Sequence, residues 1–174
     1  NFAQRFNHRY GDVFPEPMAF NFGETLLKVP SLDGTGKMSK SENQMATLYL
    51  ADDDESIRKK LMKAVTGEAP AEKNSVMPDS VANLFLLMEL VSTQEVIAQY
   101  KNDYSNCRIR FGDMKKQLAE DMVKFIAPIR QKANSILADE NYLEKIMRQG
   151  ADKARKSANA SMELVRQAMG LKYF

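Results

Sequence analysis

Leu32-Asp33-Gly34-Thr35-Gly36-Lys37-Met38-Ser39-Lys40-Ser41 separates two kinds of sequence, turn-forming and extended residues before it and a series of helical patterns after it. Its residues suit a mobile clamp for a polyphosphate. Gly34 and Gly36 lack a Cβ, so the backbone can take up positive φ and approach a ligand closely. Lys37 and Lys40 supply compact point charges of the kind that hold phosphate oxygens, and Ser39 and Ser41 add hydroxyl donors. A lysine- and serine-rich surface turn is ordinarily just solvated. The string from Lys37 to Ser41, however, arises by chance on the order of once in ten thousand chains of this length at average composition. The functional reading therefore outweighs the solvated turn.

Toward the N-terminus, Phe2, Phe6 and Tyr10 recur at helical spacing, and Gly11 is a natural stop. Pro15 and Pro17 exclude a helix, and Asn21 to Glu24 read as a turn. Thr25-Leu26-Leu27-Lys28-Val29 is the one good strand candidate, closed by Pro30. A lone strand has nothing to pair with, so this region is not an independent sheet.

Toward the C-terminus nearly everything from Asp52 onward is helical. Asp52, Asp53 and Asp54 place negative charge at a helix start, where unpaired N–H groups favour it. Ile57, Leu61, Ala64 and Val65 form the expected buried stripe, Arg58, Lys59, Lys60 and Lys63 lie off it, and Gly67 is the expected stop. Residues 67–79 read as a loop. Val81 to Val91 is apolar enough to be the most buried helix, and Ser92 with Glu95 forms a capping box for the next, whose inner face is Val96, Ile97 and Tyr100. A long pattern runs from about Asp113 to Leu137 through Met114, Leu118, Met122, Phe125, Ile129 and Ile136, with a kink expected at Pro128. The last runs from about Glu140 to Met169, with a possible joint at Gly150. The methionines, including Met88, Met114, Met122, Met147 and Met169, fall mostly on apolar stripes and read as core fillers.

The 174 residues, 44% hydrophobic, suffice for one ordinary core, or one core plus an appended piece. A net charge of +2 without a basic tail does not announce a nucleic-acid binder. One cysteine, Cys107, excludes an internal disulfide framework and a cysteine-based zinc site, and reads as a half-buried filler or an exposed bystander. No apolar run is long enough to span a bilayer and no signal peptide is visible, so a soluble cytoplasmic protein is expected. The start at Asn1, without an initiator Met, suggests a fragment or a processed product.

Lys37 to Ser41 resembles the signature loop of class I aminoacyl-tRNA synthetases, and the likeness extends past it. Phe6-Asn7-His8-Arg9-Tyr10-Gly11 and Phe14-Pro15-Glu16-Pro17 resemble the stretch before the loop in tryptophanyl-tRNA synthetases. Ile57-Arg58-Lys59-Lys60-Leu61-Met62-Lys63-Ala64-Val65-Thr66 is similar to that family's first helix after the loop, and Gly150-Ala151-Asp152-Lys153-Ala154-Arg155 through Met169-Gly170-Leu171 resembles its C-terminal helix. The resemblance implies a mostly α chain. Residues 1–45 would be the tail of a Rossmann-like α/β nucleotide-binding domain, and 46–174 a helical bundle of the anticodon-binding type.

The family activates tryptophan with ATP to tryptophanyl-adenylate and pyrophosphate, then transfers it to tRNA(Trp). Negative charge accumulates on the α-phosphate and the departing pyrophosphate, and one preorganised donor aimed at such charge is typically worth about 3 kcal/mol. The resemblance assigns Lys40 to the departing phosphates and Lys37 to added charge or anchorage of the loop, both catalytic. Met38, Ser39, Ser41 and Val29 complete the expected ATP contacts, with Met38 and Val29 meeting the adenine through their backbones. Mg²⁺ would accompany ATP, held mainly by phosphates, with no metal ligand in this chain and no permanent cofactor. A glycine-flanked loop also suggests gating, closed over ATP and open to release pyrophosphate. Lys153, Arg155 and Lys156 are candidate tRNA contacts, with Arg108 and Arg110 behind them, and for any one of these an ordinary solvated helix face is the stronger reading. A homodimeric parent is implied.

The family's second nucleotide motif, of the His-Ile-Gly-His type, does not occur in this sequence; its one histidine is His8, which reads as a surface or helix-end residue. The amino-acid pocket and the Gly-x-Asp-Gln stretch lie upstream in the family. The chain alone is therefore expected to be inactive. A tyrosyl-tRNA synthetase fragment is the alternative within the class, disfavoured by the helix at 57–66 and by a tail unlike that enzyme's appended RNA-binding domain. A free-standing helical module that binds RNA or a partner is the alternative outside it.

Overall fold

The computed structural model describes residues 2–20, 28–41 and 43–171. Six α-helices account for most of them, and among the described residues no strand forms beyond an isolated antiparallel bridge, Pro30 to Lys37. Of the strand expected at 25–29, residues 25–27 lie outside the described residues, as does the turn at 21–24, while Lys28 and Val29 are irregular. The mostly α architecture is as the sequence reads. Two compact units divide the chain: residues 27–134 form one, and 1–26 with 135–174 form the other.

The 27–134 unit is built on buried apolar stripes. Helix α2 (Asp54–Met62) is capped by Asp53, whose Oδ1 accepts the Ser56 N–H at 2.6 Å. Ile57, Leu61 and Ala64 are buried as expected, but Val65 is 44% exposed. The helix stops at Met62, short of Gly67, because the Val65 N–H donates to the Leu32 carbonyl at 2.8 Å and Lys115 donates to the Ala64 carbonyl at 2.6 Å. Those bonds satisfy backbone groups outside the helical ladder and turn the chain toward the loop. A second correction concerns Lys60, which is buried at 7% exposure rather than lying off the stripe.

Helix α3 (Asp79–Val91) buries Val81, Leu84, Phe85, Leu87 and Met88, and packs on α4 (Gln94–Ser105). The cap of α4 is Thr93, not Ser92: Thr93 Oγ1 accepts the Val96 N–H at 3.5 Å. Ser92 Oγ instead donates to Asp121 Oδ2 at 2.7 Å, so its hydroxyl is taken by α5. On the inner face of α4, Ile97 is buried and Val96 and Tyr100 are half-buried. Cys107 follows, half-buried and in the left-handed region at φ 56°.

Helix α5 (Phe111–Leu137) buries Met114, Leu118, Met122 and Ile126 at four-residue spacing, with Ala119 and Val123 beside them. It continues through Pro128 without a break. Phe125 and Ile129 are 50% and 40% exposed, so the buried face ends near Ile126, earlier than the periodicity suggests. Arg58 of α2 makes two hydrogen bonds to the Glu120 carboxylate, at 2.7 and 2.9 Å, tying α2 to α5 at the surface.

The other unit holds α1 (Phe2–Tyr10) and α6 (Glu140–Ala168). Gly11, at φ 94°, ends α1 and donates to the Asn7 carbonyl at 2.9 Å. Asn7 Oδ1 accepts the Val13 and Phe14 N–H groups, folding the proline-bearing segment back so that the Phe14 ring meets Phe6 edge-on at 5.1 Å. Helix α6 runs uninterrupted through Gly150, capped by Asp139. Its end is a Schellman motif: Gly170 (φ 70°) donates to Gln167 and Leu171 to Arg166. No residue of α6 is buried, so Met147 and Met169 are not core fillers, whereas Met88, Met114 and Met122 are.

Candidate functional site

Residues 28–41 form a hairpin-like turn held by its own backbone. The Met38 N–H donates to the Val29 carbonyl at 2.9 Å, Pro30 bridges Lys37, and Ser31 donates to the Gly36 carbonyl at 3.3 Å. Gly34 and Gly36 close the turn at φ 79° and 64°, where a side chain would be strained. Asp33 organises it: its Oδ1 accepts from Ser31 Oγ at 2.8 Å, from the Thr35 N–H at 3.0 Å and from Thr35 Oγ1 at 2.7 Å. Donors led by the Thr35 hydroxyl, with Ser31 next, lower the Asp33 pKa from an ordinary 3.8 to about 2. Asp33 is a site residue that its charge alone does not single out; the Asp-x-Thr spacing of an Asx turn is the signal that reveals it.

The outgoing half of the loop is pinned from behind. Thr47 Oγ1 donates to the Ser39 carbonyl at 3.1 Å, and the Leu48 N–H reaches Met38 Sδ at 3.5 Å. The Leu32 N–H donates to Ala46 at 2.9 Å, just after a one-turn helix at Gln44–Ala46 capped by Asn43. Leu32 and Ala46 are both buried and belong to the same core as α2 to α5. The loop therefore stands on the helical core.

On this frame Val29, Lys37, Met38, Ser39, Lys40 and Ser41 come together. Val29 and Met38 are half-buried and bonded to each other, and Ser39 and Ser41 place their hydroxyl oxygens 3.2 Å apart. Lys37 and Lys40 are exposed, and among the described residues neither makes an ion pair or a hydrogen bond. Two exposed ammonium groups flanking a hydrogen-bonded peptide are an arrangement able to receive several phosphate oxygens.

Matches to known proteins place the chain in a family. Residues 1–127 match the family model described as tRNA synthetases class I (W and Y). The chain belongs to this class I synthetase family. It is 50% identical over 172 residues to the tryptophan–tRNA ligase of Porphyromonas gingivalis, covering 98% of this chain and 52% of that protein. It is 32% identical over 170 residues to the Aquifex aeolicus tryptophan–tRNA ligase, covering 97% and 42%. Tryptophanyl-tRNA synthetase of Campylobacter jejuni, solved with ADP and tryptophan, superposes with a TM-score of 0.74 at 26% identity, over 97% of this chain and 51% of that one. The chain spans about half the length of the curated relatives it matches.

The other candidates lie outside the loop. Lys153, Arg155 and Lys156 all lie exposed on α6. Lys153 and Lys156 are three residues apart and share a face, while Arg155 points elsewhere and pairs with Asp152 at 3.2 Å. Arg108 is 3.7 Å from Asp103, Arg110 is exposed, and His8 is exposed in the last turn of α1. No described helix is long and apolar enough to cross a membrane.

Proposed function

We propose that this chain is the C-terminal part of a tryptophan–tRNA ligase, and that its loop holds ATP during formation of tryptophanyl-adenylate. One observation carries the reading: Lys37 and Lys40 extend, unpaired among the described residues, from a Met38–Ser39 peptide fixed on both sides. Cations held ready where charge develops lower the barrier without reorganising in the transition state. Lys40 meets the departing phosphates, Lys37 the remaining charge, and Ser39 and Ser41 donate to the same oxygens. Met38 and Val29 lie against the adenine. Mg²⁺ arrives with ATP and is held by its phosphates; among the described residues no cluster of carboxylates, histidines or cysteines could hold a metal ion.

The functional division we propose falls between residues 1–45, the end of a Rossmann-like catalytic domain, and 46–174, a helical domain that meets the tRNA anticodon. It cuts across the compact units because Leu32 and Ala46 join the helical core. Lys153 and Lys156, on one face of α6, are the better placed of the tRNA candidates. The parent is a cytoplasmic homodimer acting on ATP, tryptophan and tRNA(Trp). The names of the relatives favour tryptophan over tyrosine.

The test is tryptophan-dependent exchange of pyrophosphate into ATP by the full-length protein that carries this sequence. Replacing Lys37 and Lys40 each by Ala is expected to lower kcat about a hundredfold per lysine. The 174-residue chain alone is expected to show no exchange above its own double-alanine control. Undiminished exchange in the full-length double variant refutes the reading, and activation of tyrosine in place of tryptophan redirects it.

A further inference from the structure

Among the described residues Lys60 is the one buried charged side chain. It occupies a position on α2 between Ile57 and Leu61 that an apolar residue would fill without desolvating a charge. Its ammonium is fully engaged: Nζ donates to the Thr47 carbonyl at 2.9 Å and to Asp52 Oδ2 at 2.6 Å, and lies 4.7 Å from the centre of the Tyr49 ring. Asp52 Oδ2 also accepts the Tyr49 N–H at 2.9 Å, and Arg130 of α5 donates to the Asp52 carbonyl and the Asp54 carboxylate. The segment from Thr47 to Asp52 is thus wrapped around one ammonium group and tied to two helices.

Thr47 is the link to the loop. It too is buried, at 5% exposure, and its hydroxyl holds the Ser39 carbonyl while its own carbonyl is held by Lys60. The next residue, Leu48, reaches Met38 Sδ. The two bonds that hold Met38 and Ser39 from the C-terminal side therefore both come from a two-residue segment whose Thr47 carbonyl is held by Lys60.

We propose that Lys60 is a positioning residue for the synthetase loop, acting through Thr47 to hold the Met38–Ser39 peptide between Lys37 and Lys40. This rests on the functional reading above for its catalytic consequence, but not for its structural one. A peptide displaced by about 1 Å carries both ammonium groups off target, and errors of that size in a reacting geometry can cost up to a hundredfold.

Two variants separate positioning from mere support. Lys60→Met keeps the apolar stem and removes the ammonium; Thr47→Val keeps the shape and the carbonyl and removes only the hydroxyl. In the full-length protein each is expected to lower kcat for exchange about tenfold or more with KM for tryptophan unchanged. Neither should lower it further in the Lys37→Ala, Lys40→Ala background, since both act through those lysines. Trypsin, which cuts after lysine, should cleave at Lys37 and Lys40 at least fivefold faster in both variants at an unchanged unfolding midpoint. If Lys60→Met fails to fold, Thr47→Val decides alone. Cleavage at the unaltered rate, or a loss of kcat that adds to that of the double-alanine variant, overturns the proposal. If the unaltered protein makes no adenylate, the functional reading fails, and the cleavage rates still decide whether Lys60 positions the loop.

Discussion

Helices α5 and α6 are of nearly equal length, 27 and 29 residues, and they are stabilised by different means. Six residues of α5 are buried; none of α6 is. Across the described residues the whole buried core lies in the 27–134 unit except Ala3. Helix α6 carries local stabilisers: an Asp139 cap, the Glu144–Arg148 pair at 2.6 Å, and the Gly170 terminus. Such local terms are worth a few tenths of a kcal/mol to about 1 kcal/mol each, whereas one buried leucine is worth several. The loop sits at the strong end of this contrast, because Leu32 and Ala46 anchor it in the core.

The largest expected effect tests burial itself. Leu61→Ala should destabilise the chain by about 2–5 kcal/mol in urea unfolding, since Leu61 is completely buried. Leu164→Ala, at a position 53% exposed on α6, should stay within about 0.5 kcal/mol. Equal losses at the two sites would erase the contrast. Next in size is a gain. Gly150 lies in the interior of α6 with nothing among the described residues within 4 Å of an added Cβ, so Gly150→Ala should stabilise that helix by about 0.5–1 kcal/mol. Slower amide exchange over residues 146–154 would show it.

The smallest effect is confined to the loop. Asp33 titrates near 2 in the folded chain against an ordinary 3.8, so its carboxylate stabilises the turn above that ordinary value. The contribution fades as pH falls from 3.8 toward about 2. The Thr35 amide should lose its protection from exchange in that window, while amides of α3 keep theirs. Asp33→Asn should bring the same local loss to neutral pH.

Much of the candidate site is contiguous in sequence. Lys37 to Ser41 is a contiguous string, and a loop whose groups are neighbours in sequence needs no long-range information to be recognised. Helix positions were also legible where periodicity and stops agree, as at Phe2–Tyr10 with Gly11 and in the ladder Met114, Leu118, Met122. The family followed from the same contiguous strings.

Other features depend on partners far away in the chain. Lys60 reads as lying off the buried stripe because Asp52 and Thr47, which satisfy its ammonium, are brought around it only by folding. Helix α2 ends early because Leu32 and Lys115 take its backbone groups, and Ser92 yields the cap of α4 to Thr93 because Asp121 takes its hydroxyl. An apolar stripe states that a face can be buried, not that anything covers it, which is why Met114 is core and Met147 is surface. Sequence alone determined the helices, the loop and its charges, since those follow from neighbours a few bonds away. Tertiary structure decided which lysine is buried and what holds the loop, because the energy of a buried charge is set by the groups that surround it in space.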